Sequence, residues 1–459
     1  MTCRQGYGYS VNNKGSLLVL WLACLLCPSL GYGQALRFQP QGAVAAGQGN
    51  AFVAQADDAS AIHYNPAGLS QAKGVQVVTG TALLGGSIKS NSSTGIDSRG
   101  DFGGSIAFPP PSHTYVSANL GSLGWDRLSD ATVGIGLTSP FGLNTRYPLD
   151  GPFNTAVTSA ALPLIAIKPT VAYKINDQLA IGVSADIYTF ASFLGQGHGE
   201  MKQIGDGALS GASVELNGTG TGAGATVSLL YTPLRNDNGK PIAAIGLVYR
   251  TQAVVPLSGS LLVNGAKVAD ATANLVLPQI YTGGIAIWPL RTSDREWKME
   301  IDVEYVGWKS HRDFDIHLSS GGVIPQPRQW ETVPVVAIGT EYKWLNPKWL
   351  PHWDVAVRSG YTRTENPVPD RTFNPGTISL SANTLSIGAG FLCQGQGRFL
   401  GMVPCGGASA FWPKAIGFDV AFQEWFYEPR TVSGNLNPTV DGTYDAYVHL
   451  GTFSAKFLF

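Results

Sequence analysis

A two-residue rhythm constrains this chain more than any other feature. From Trp297 to Tyr305, the residues Trp297, Met299, Ile301, Val303 and Tyr305 alternate with Lys298, Glu300, Asp302 and Glu304. Successive side chains of a strand point to opposite faces, so one face of this segment is apolar and the other charged. A soluble sandwich could carry such a strand once, with its charges in water. Here the rhythm returns. Ile165, Ile167, Val171, Tyr173 and Ile175 oppose Lys168, Thr170 and Lys174. Leu179, Ile181, Val183, Ala185 and Ile187 alternate with Ala180, Gly182, Ser184 and Asp186. Ile416, Phe418, Val420 and Phe422 alternate with Gly417, Asp419, Ala421 and Gln423.

Charge content says where such strands can live. Charged residues make up 13% of the chain, about half the roughly 25% of soluble domains. Past the N-terminus, no apolar run reaches the roughly 20 residues of a membrane-spanning helix. A chain that occupies a bilayer without such helices must close its strands into a barrel, because an open edge leaves backbone groups unpaired in hydrocarbon. The reading is therefore all-β: a transmembrane antiparallel β-barrel of about fourteen strands, an even number as single-chain bacterial barrels have. Strands are expected to start near Val75, His113, Thr132, Leu162, Leu179, Val214, Pro241, Leu277, Trp297, Thr332, Trp353, Asn383, Ala415 and Tyr447. The short connectors Asn176 to Gln178 and Arg235 to Lys240 then belong to the periplasmic side. The long ones, Ser90 to Pro111 and Val368 to Ala382, lie outside. A net charge of −1 offers no basic stripe for nucleic acid.

The N-terminus reads as a secretion signal. Arg4 and Lys14 flank a polar start, Leu17 to Leu26 is an apolar core, and Gly31 to Ala35 supplies small residues for cleavage after Ala35. Residues 1–35 are thus the signal, 36–74 an N-terminal hatch and 75–459 the barrel. The expected location is the outer membrane of a Gram-negative cell, as a multi-pass barrel among its lipids. Once the signal is removed, Cys393 and Cys405 are the remaining cysteines. In an oxidising compartment they are expected to form a disulfide, bracing the Gly395 to Lys414 segment, which is long for a periplasmic connector. The chain ends with Phe453, Ala455, Phe457 and Phe459 on one face. This resembles the signal read by the barrel assembly machinery, an expected partner through Phe459.

The stretch Asp57-Asp-Ala-Ser-Ala-Ile-His-Tyr-Asn-Pro-Ala-Gly-Leu69, preceded by Gly47-Gln-Gly-Asn-Ala51, resembles the N-terminal hatch of the FadL-type outer-membrane transporters of long-chain fatty acids and aromatic hydrocarbons (Toluene_X-like). Asn65, Pro66 and Ala67 match that family's Asn-Pro-Ala motif. Val133 to Leu143 is similar to its third strand and Ile167 to Lys174 to its fourth. Val357 to Tyr361 with Pro367 to Asp370, and Gly442 to Tyr444, extend the likeness over the mature chain. The extended Cys393 to Cys405 region departs from it.

The resemblance implies a passive transporter rather than an enzyme, with no cofactor and no metal. Its ligand, a fatty acid, alkane or aromatic, would be captured by external loops, passed to a lumen pocket and released sideways at a kinked third strand. Ser139, Pro140, Phe141 and Gly142 fall at that kink, where proline removes a ladder donor and glycine loosens the strand. Lys168, Lys298 and Arg358, on lumen faces, are candidates for a ligand counter-ion or for an internal network with Asp186, Glu300, Asp302 and Glu304. Two other classes compete. A barrel lipase or esterase would use a histidine such as His311, His317 or His449, but no Gly-x-Ser-x-Gly motif lies beside them. A water-filled porin for polar solutes would have no need of a hatch.

Overall fold

The computed structural model describes residues 35–108, 110–190, 197–407 and 412–459. The expected secretion signal, apart from Ala35, lies outside the described residues.

Long strands dominate. In chain order they are β1 Val75–Ser92, β2 Ser112–Asn119, β3 Ala131–Thr138, β4 Leu164–Lys174, β5 Leu179–Phe190, β6 Gly222–Arg235 and β7 Pro241–Arg250. They continue as β8 Gln279–Arg291, β9 Arg295–Gly307, β10 Val333–Leu345, β11 Trp353–Thr364, β12 Ala382–Gln394, β13 Ala415–Tyr427 and β14 Gly442–Leu458. Each pairs antiparallel with the next. The last returns to the first, from Gln76 opposite Leu458 to Ser92 opposite Gly442. These fourteen strands form a closed ring.

Which face is which follows from exposure. Ile301 is 39% and Val303 43% exposed, whereas Lys298, Glu300 and Asp302 are at most 3% exposed. Val171, Ile181, Val183 and Phe422 also lie on the outer surface. Apolar residues outside and charges inside invert the arrangement of a water-soluble protein and suit a barrel in lipid.

Beyond the upper end of the ring, shorter strands from the long connectors build a crown. Asp97–Asp101, Leu143–Arg146, Ser159–Leu162, Gly199–Ile204, Ser213–Thr219, Ala253–Val263 and Ala266–Leu277 pair in succession. The crown corrects one sequence expectation: Val214 starts a crown strand, and the ring strand is Gly222–Arg235. The run Asn217-Gly-Thr-Gly-Thr-Gly-Ala-Gly224 lacks apolar alternation, so nothing in it marks where crown passes into ring. At the opposite end the turns are short, apart from residues 120–130 between β2 and β3 and the segment after β12. There Cys393 and Cys405 are joined in a disulfide, beside a small hairpin of Arg398–Phe399 and Val403–Pro404.

Candidate functional site

The N-terminal segment lies against the inward side chains of the ring. Asn65 fixes its best-defined turn: its Oδ1 accepts from the Ala67 N–H at 3.1 Å, capping the short helix Pro66–Gln71. Proline at the first helical position costs no donor, since that N–H has no helical partner. The other end of the same amide donates to the carbonyls of Val53 (2.8 Å) and Leu229 (3.2 Å), tying the turn to the segment and to β6. Asn65, Pro66 and Ala67 are all buried.

A second attachment comes from one face of β9. Asp302 accepts the N–H groups of Phe52 (2.8 Å) and Val53 (3.0 Å), and Glu300 those of Ala54 (2.6 Å) and Gln55 (3.3 Å). Lys298 pairs with Glu300 at 2.8 Å. Glycines at inward positions let backbone meet backbone. A Cβ on Gly360 would stand 2.1 Å from the Gln48 carbonyl carbon, and one on Gly182 2.3 Å from the Ala67 nitrogen.

The candidate counter-ions are all engaged. Lys168 pairs with Asp186, which Arg250 also reaches at 3.5 Å. Arg358 bridges Glu341 (2.7 Å) and Asp419 (2.6 Å). None of Lys168, Lys298 and Arg358 lines either apolar cavity described below. Their geometry is that of the internal network, extended by Lys456 to Asp58 at 3.1 Å.

At the third strand the wall changes. β3 pairs with β2 as far as Leu137 opposite Thr114, and with β4 as far as Thr138 opposite Ala166. The next four residues turn to the N-terminal segment instead. Phe38 N–H donates to the Pro140 carbonyl (2.9 Å), Gly142 N–H to the Leu36 carbonyl (2.8 Å), and Arg37 stands opposite Phe141. Gln41 brackets Ser139 through both backbone groups at 2.9 Å. Phe141 is buried edge-on against Tyr188 and Trp308.

Beside this break is an apolar cavity of about 200 Å³, bounded by Phe108, Pro110, Pro111, Phe141, Leu162 and Trp425 among others. Its arginine, Arg37, is paired with Glu304. A second cavity of about 130 Å³ sits under the crown, lined by Leu216, Leu257, Leu275, Phe314, Ile316 and Trp330. The two share Leu143, Ala161 and Leu162 as lining. The second also contains His311 and Arg328. Burial, with Arg328 adding to it, pushes His311 down to about 3, so the imidazole is neutral. Sequence reasoning passed over Arg328: it lies in Pro325-Gln-Pro-Arg-Gln-Trp330, where no periodicity reveals that an arginine is buried.

Of the other histidines, His449 faces outward and pairs with Glu424, and His317 belongs to the crown strand Ile316–Leu318.

A closed ring with an apolar outer surface, a protein-filled lower lumen and greasy cavities above defines a transmembrane barrel. Its sequence matches the family described as outer membrane protein transport protein (OMPP1/FadL/TodX) over residues 30–398. The chain belongs to this family and is an outer-membrane, multi-pass barrel. The fold is that of the crystal structure of a Pseudomonas aeruginosa FadL homologue, with TM-score 0.71 and 14% identity over 92% of this chain and 99% of that one. The P. putida toluene transporter TodX aligns with TM-score 0.60 and 17% identity, covering 92% and 99%. The Ralstonia pickettii toluene transporter TbuX gives 0.59 and 16%, covering 91% and 99%. No curated protein matches the sequence.

Proposed function

We propose that the chain is a passive outer-membrane channel for hydrophobic small molecules. The ligand enters under the crown, moves to the cavity beside Phe141 and leaves sideways into the membrane between β2 and the Ser139–Gly142 stretch. The observation that carries this reading is the ladder break itself. The backbone of Ser139 to Gly142 pairs with no ring strand and bonds instead to Leu36, Phe38 and Gln41, with an apolar cavity alongside, while the Ser139 hydroxyl donates to the Ser112 carbonyl of β2 at 3.3 Å.

Physical chemistry favours such a route. A ligand released into water loses about 0.8 kcal/mol per CH₂, whereas one released through the wall enters lipid directly. A closed ladder opens most cheaply where its hydrogen bonds are already missing. Each cavity is near the roughly 150 Å³ that holds one benzene in an apolar protein interior, so a ring-sized ligand fits without rearrangement. Residues 36–74 act as the hatch that closes the lumen to water and ions, with Asn65, Pro66 and Ala67 holding its turn. Lys168, Lys298 and Arg358 hold the hatch and wall together rather than the ligand. Phe459, whose N–H donates to Val75 at 2.8 Å, is the residue offered to the barrel assembly machinery. A water-filled porin would need an open lumen where the buried segment Ala43 to Leu69 now lies.

Uptake of labelled toluene or oleate by cells carrying matched amounts of protein tests the exit. Pro140→Val with Gly142→Val restores a ladder donor and stiffens the strand, and is expected to abolish uptake with surface expression intact. Full uptake by this variant, with its wall closed in a crystal structure, overturns sideways release.

A further inference from the structure

The cavity under the crown holds a charge with no carboxylate partner; its guanidinium lies over the Phe314 ring, 5.9 Å from the centroid. Arg328 is 8% exposed, and no carboxylate forms an ion pair with it, although every aspartate and glutamate of the chain lies among the described residues. Burial lowers it to about 10, with Asp315 opposing the change, so it stays charged at neutral pH. Asp315 itself accepts from the Gln326 N–H at 2.8 Å. Two side-chain nitrogens on other lining residues have no hydrogen-bond partner: His311 Nδ1 and Trp330 Nε1, both on residues 2% exposed. All three residues line the same cavity.

Buried charges are normally paired, and an uncompensated one is costly. The backbone nevertheless holds this group in place. The N–H groups of Arg328 and Gln329 both donate to the Arg312 carbonyl, at 2.8 and 2.9 Å. In the neighbouring cavity Arg37 meets Glu304, so a bare arginine is not a general property of this interior. A guanidinium and an indole with an unsatisfied N–H on the lining of one apolar space supply the donor types that an anionic head group on an apolar body needs. Glu200, the one acidic residue of the lining, is engaged by Lys202 at 3.2 Å.

We propose that this outer cavity binds a small carboxylate, its head group on Arg328 and the Trp330 N–H and its apolar body against Leu216, Leu257, Leu275 and Ile316. The inference deepens the transport reading by naming the ligand class of the path's first station. The space suits a body about the size of a benzene ring. Aromatic and short aliphatic acids share this chemistry, and the test separates them.

The test is calorimetric titration of the full mature chain in lipid nanodiscs with sodium benzoate, sodium hexanoate and the uncharged benzyl alcohol. Benzoate or hexanoate is expected to bind tighter than benzyl alcohol by about tenfold to a hundredfold, the range of a charged hydrogen bond. The tighter of the two acids identifies the body. Arg328→Met is expected to remove that preference and Arg328→Lys to retain part of it. Trp330→Phe, which keeps a ring but removes the N–H, is expected to lower it by a smaller factor. Equal binding of acid and alcohol by the unaltered protein, or a preference that survives Arg328→Met, overturns the proposal. Toluene uptake by proteoliposomes of the same preparation keeps the two readings apart. Uptake without acid preference overturns this inference alone, and acid preference without uptake overturns the transport reading alone.

Discussion

The two halves of the barrel interior solve opposite problems. In the lower half, charge is abundant and answered: Lys168 by Asp186, Lys298 by Glu300, Arg358 by Glu341 and Asp419, Lys456 by Asp58. The carboxylates left with spare capacity accept backbone N–H groups of the N-terminal segment. In the upper half, the buried cluster built on Phe141, Phe153, Leu164, Tyr188, Trp308 and Trp330 is apolar, and Arg328, which lines the cavity beside Trp330, lies over the Phe314 ring without a carboxylate partner. A network whose cations are all paired has none left to offer an anionic ligand. An apolar space with one bare cation has one to offer. The comparison teaches that, in this barrel, abundance of charge marks where the protein holds itself together, and scarcity marks where something else can bind.

The same kind of substitution should act with opposite signs in the two halves. Lys298→Met leaves the Glu300 carboxylate buried without its partner and is expected to destabilise the protein by roughly 3–5 kcal/mol. Arg328→Met removes an uncompensated charge and is expected to raise the melting temperature of the ligand-free protein. Thermal unfolding followed by circular dichroism reads both, and equal signs would break the comparison. A smaller effect is expected from Gly360→Ala, whose methyl would meet the Gln48 backbone. Overpacking of this kind costs about 1–3 kcal/mol. Because it pushes on the N-terminal segment and not on a ladder bond, ion conductance in planar bilayers should rise while strand content stays constant. Unchanged conductance would mean that the segment does not seal the lumen.

The barrel was legible because its signal is repetitive. Each strand such as Trp297 to Tyr305 sorts its residues by face, and the sorting recurs with a period of two. Lys168, Lys298 and Arg358 could be assigned to the inner face for that reason, but their partners could not. Arg358 finds Asp419, 61 positions away, and no local pattern encodes a pairing that depends on ring closure. Asn65-Pro66-Ala67 was visible as a motif, yet its attachment to Leu229 of β6 was not. The crown was hidden because its strands are short and interrupted by glycine. Arg328 was hidden because burial in an irregular loop is a tertiary property. Pro140 and Gly142 lie just beyond the end of β3 at Thr138, and the sequence carried no sign that this stretch pairs with Leu36 to Phe38.

That pairing supplies the most direct test of sideways release. Arg37 and Phe141 stand opposite each other between two flanking hydrogen bonds. Such a non-hydrogen-bonded pair has its Cα atoms about 4.5 Å apart, within reach of a disulfide. A double variant, Arg37→Cys with Phe141→Cys, would therefore lock the N-terminal segment onto the break when oxidised and free it when reduced. Proteoliposome uptake of labelled toluene is expected to stop in the oxidised variant and return on reduction, while the unaltered protein is indifferent to the same treatment. Undiminished uptake by the fully cross-linked variant would contradict release past Ser139 to Gly142.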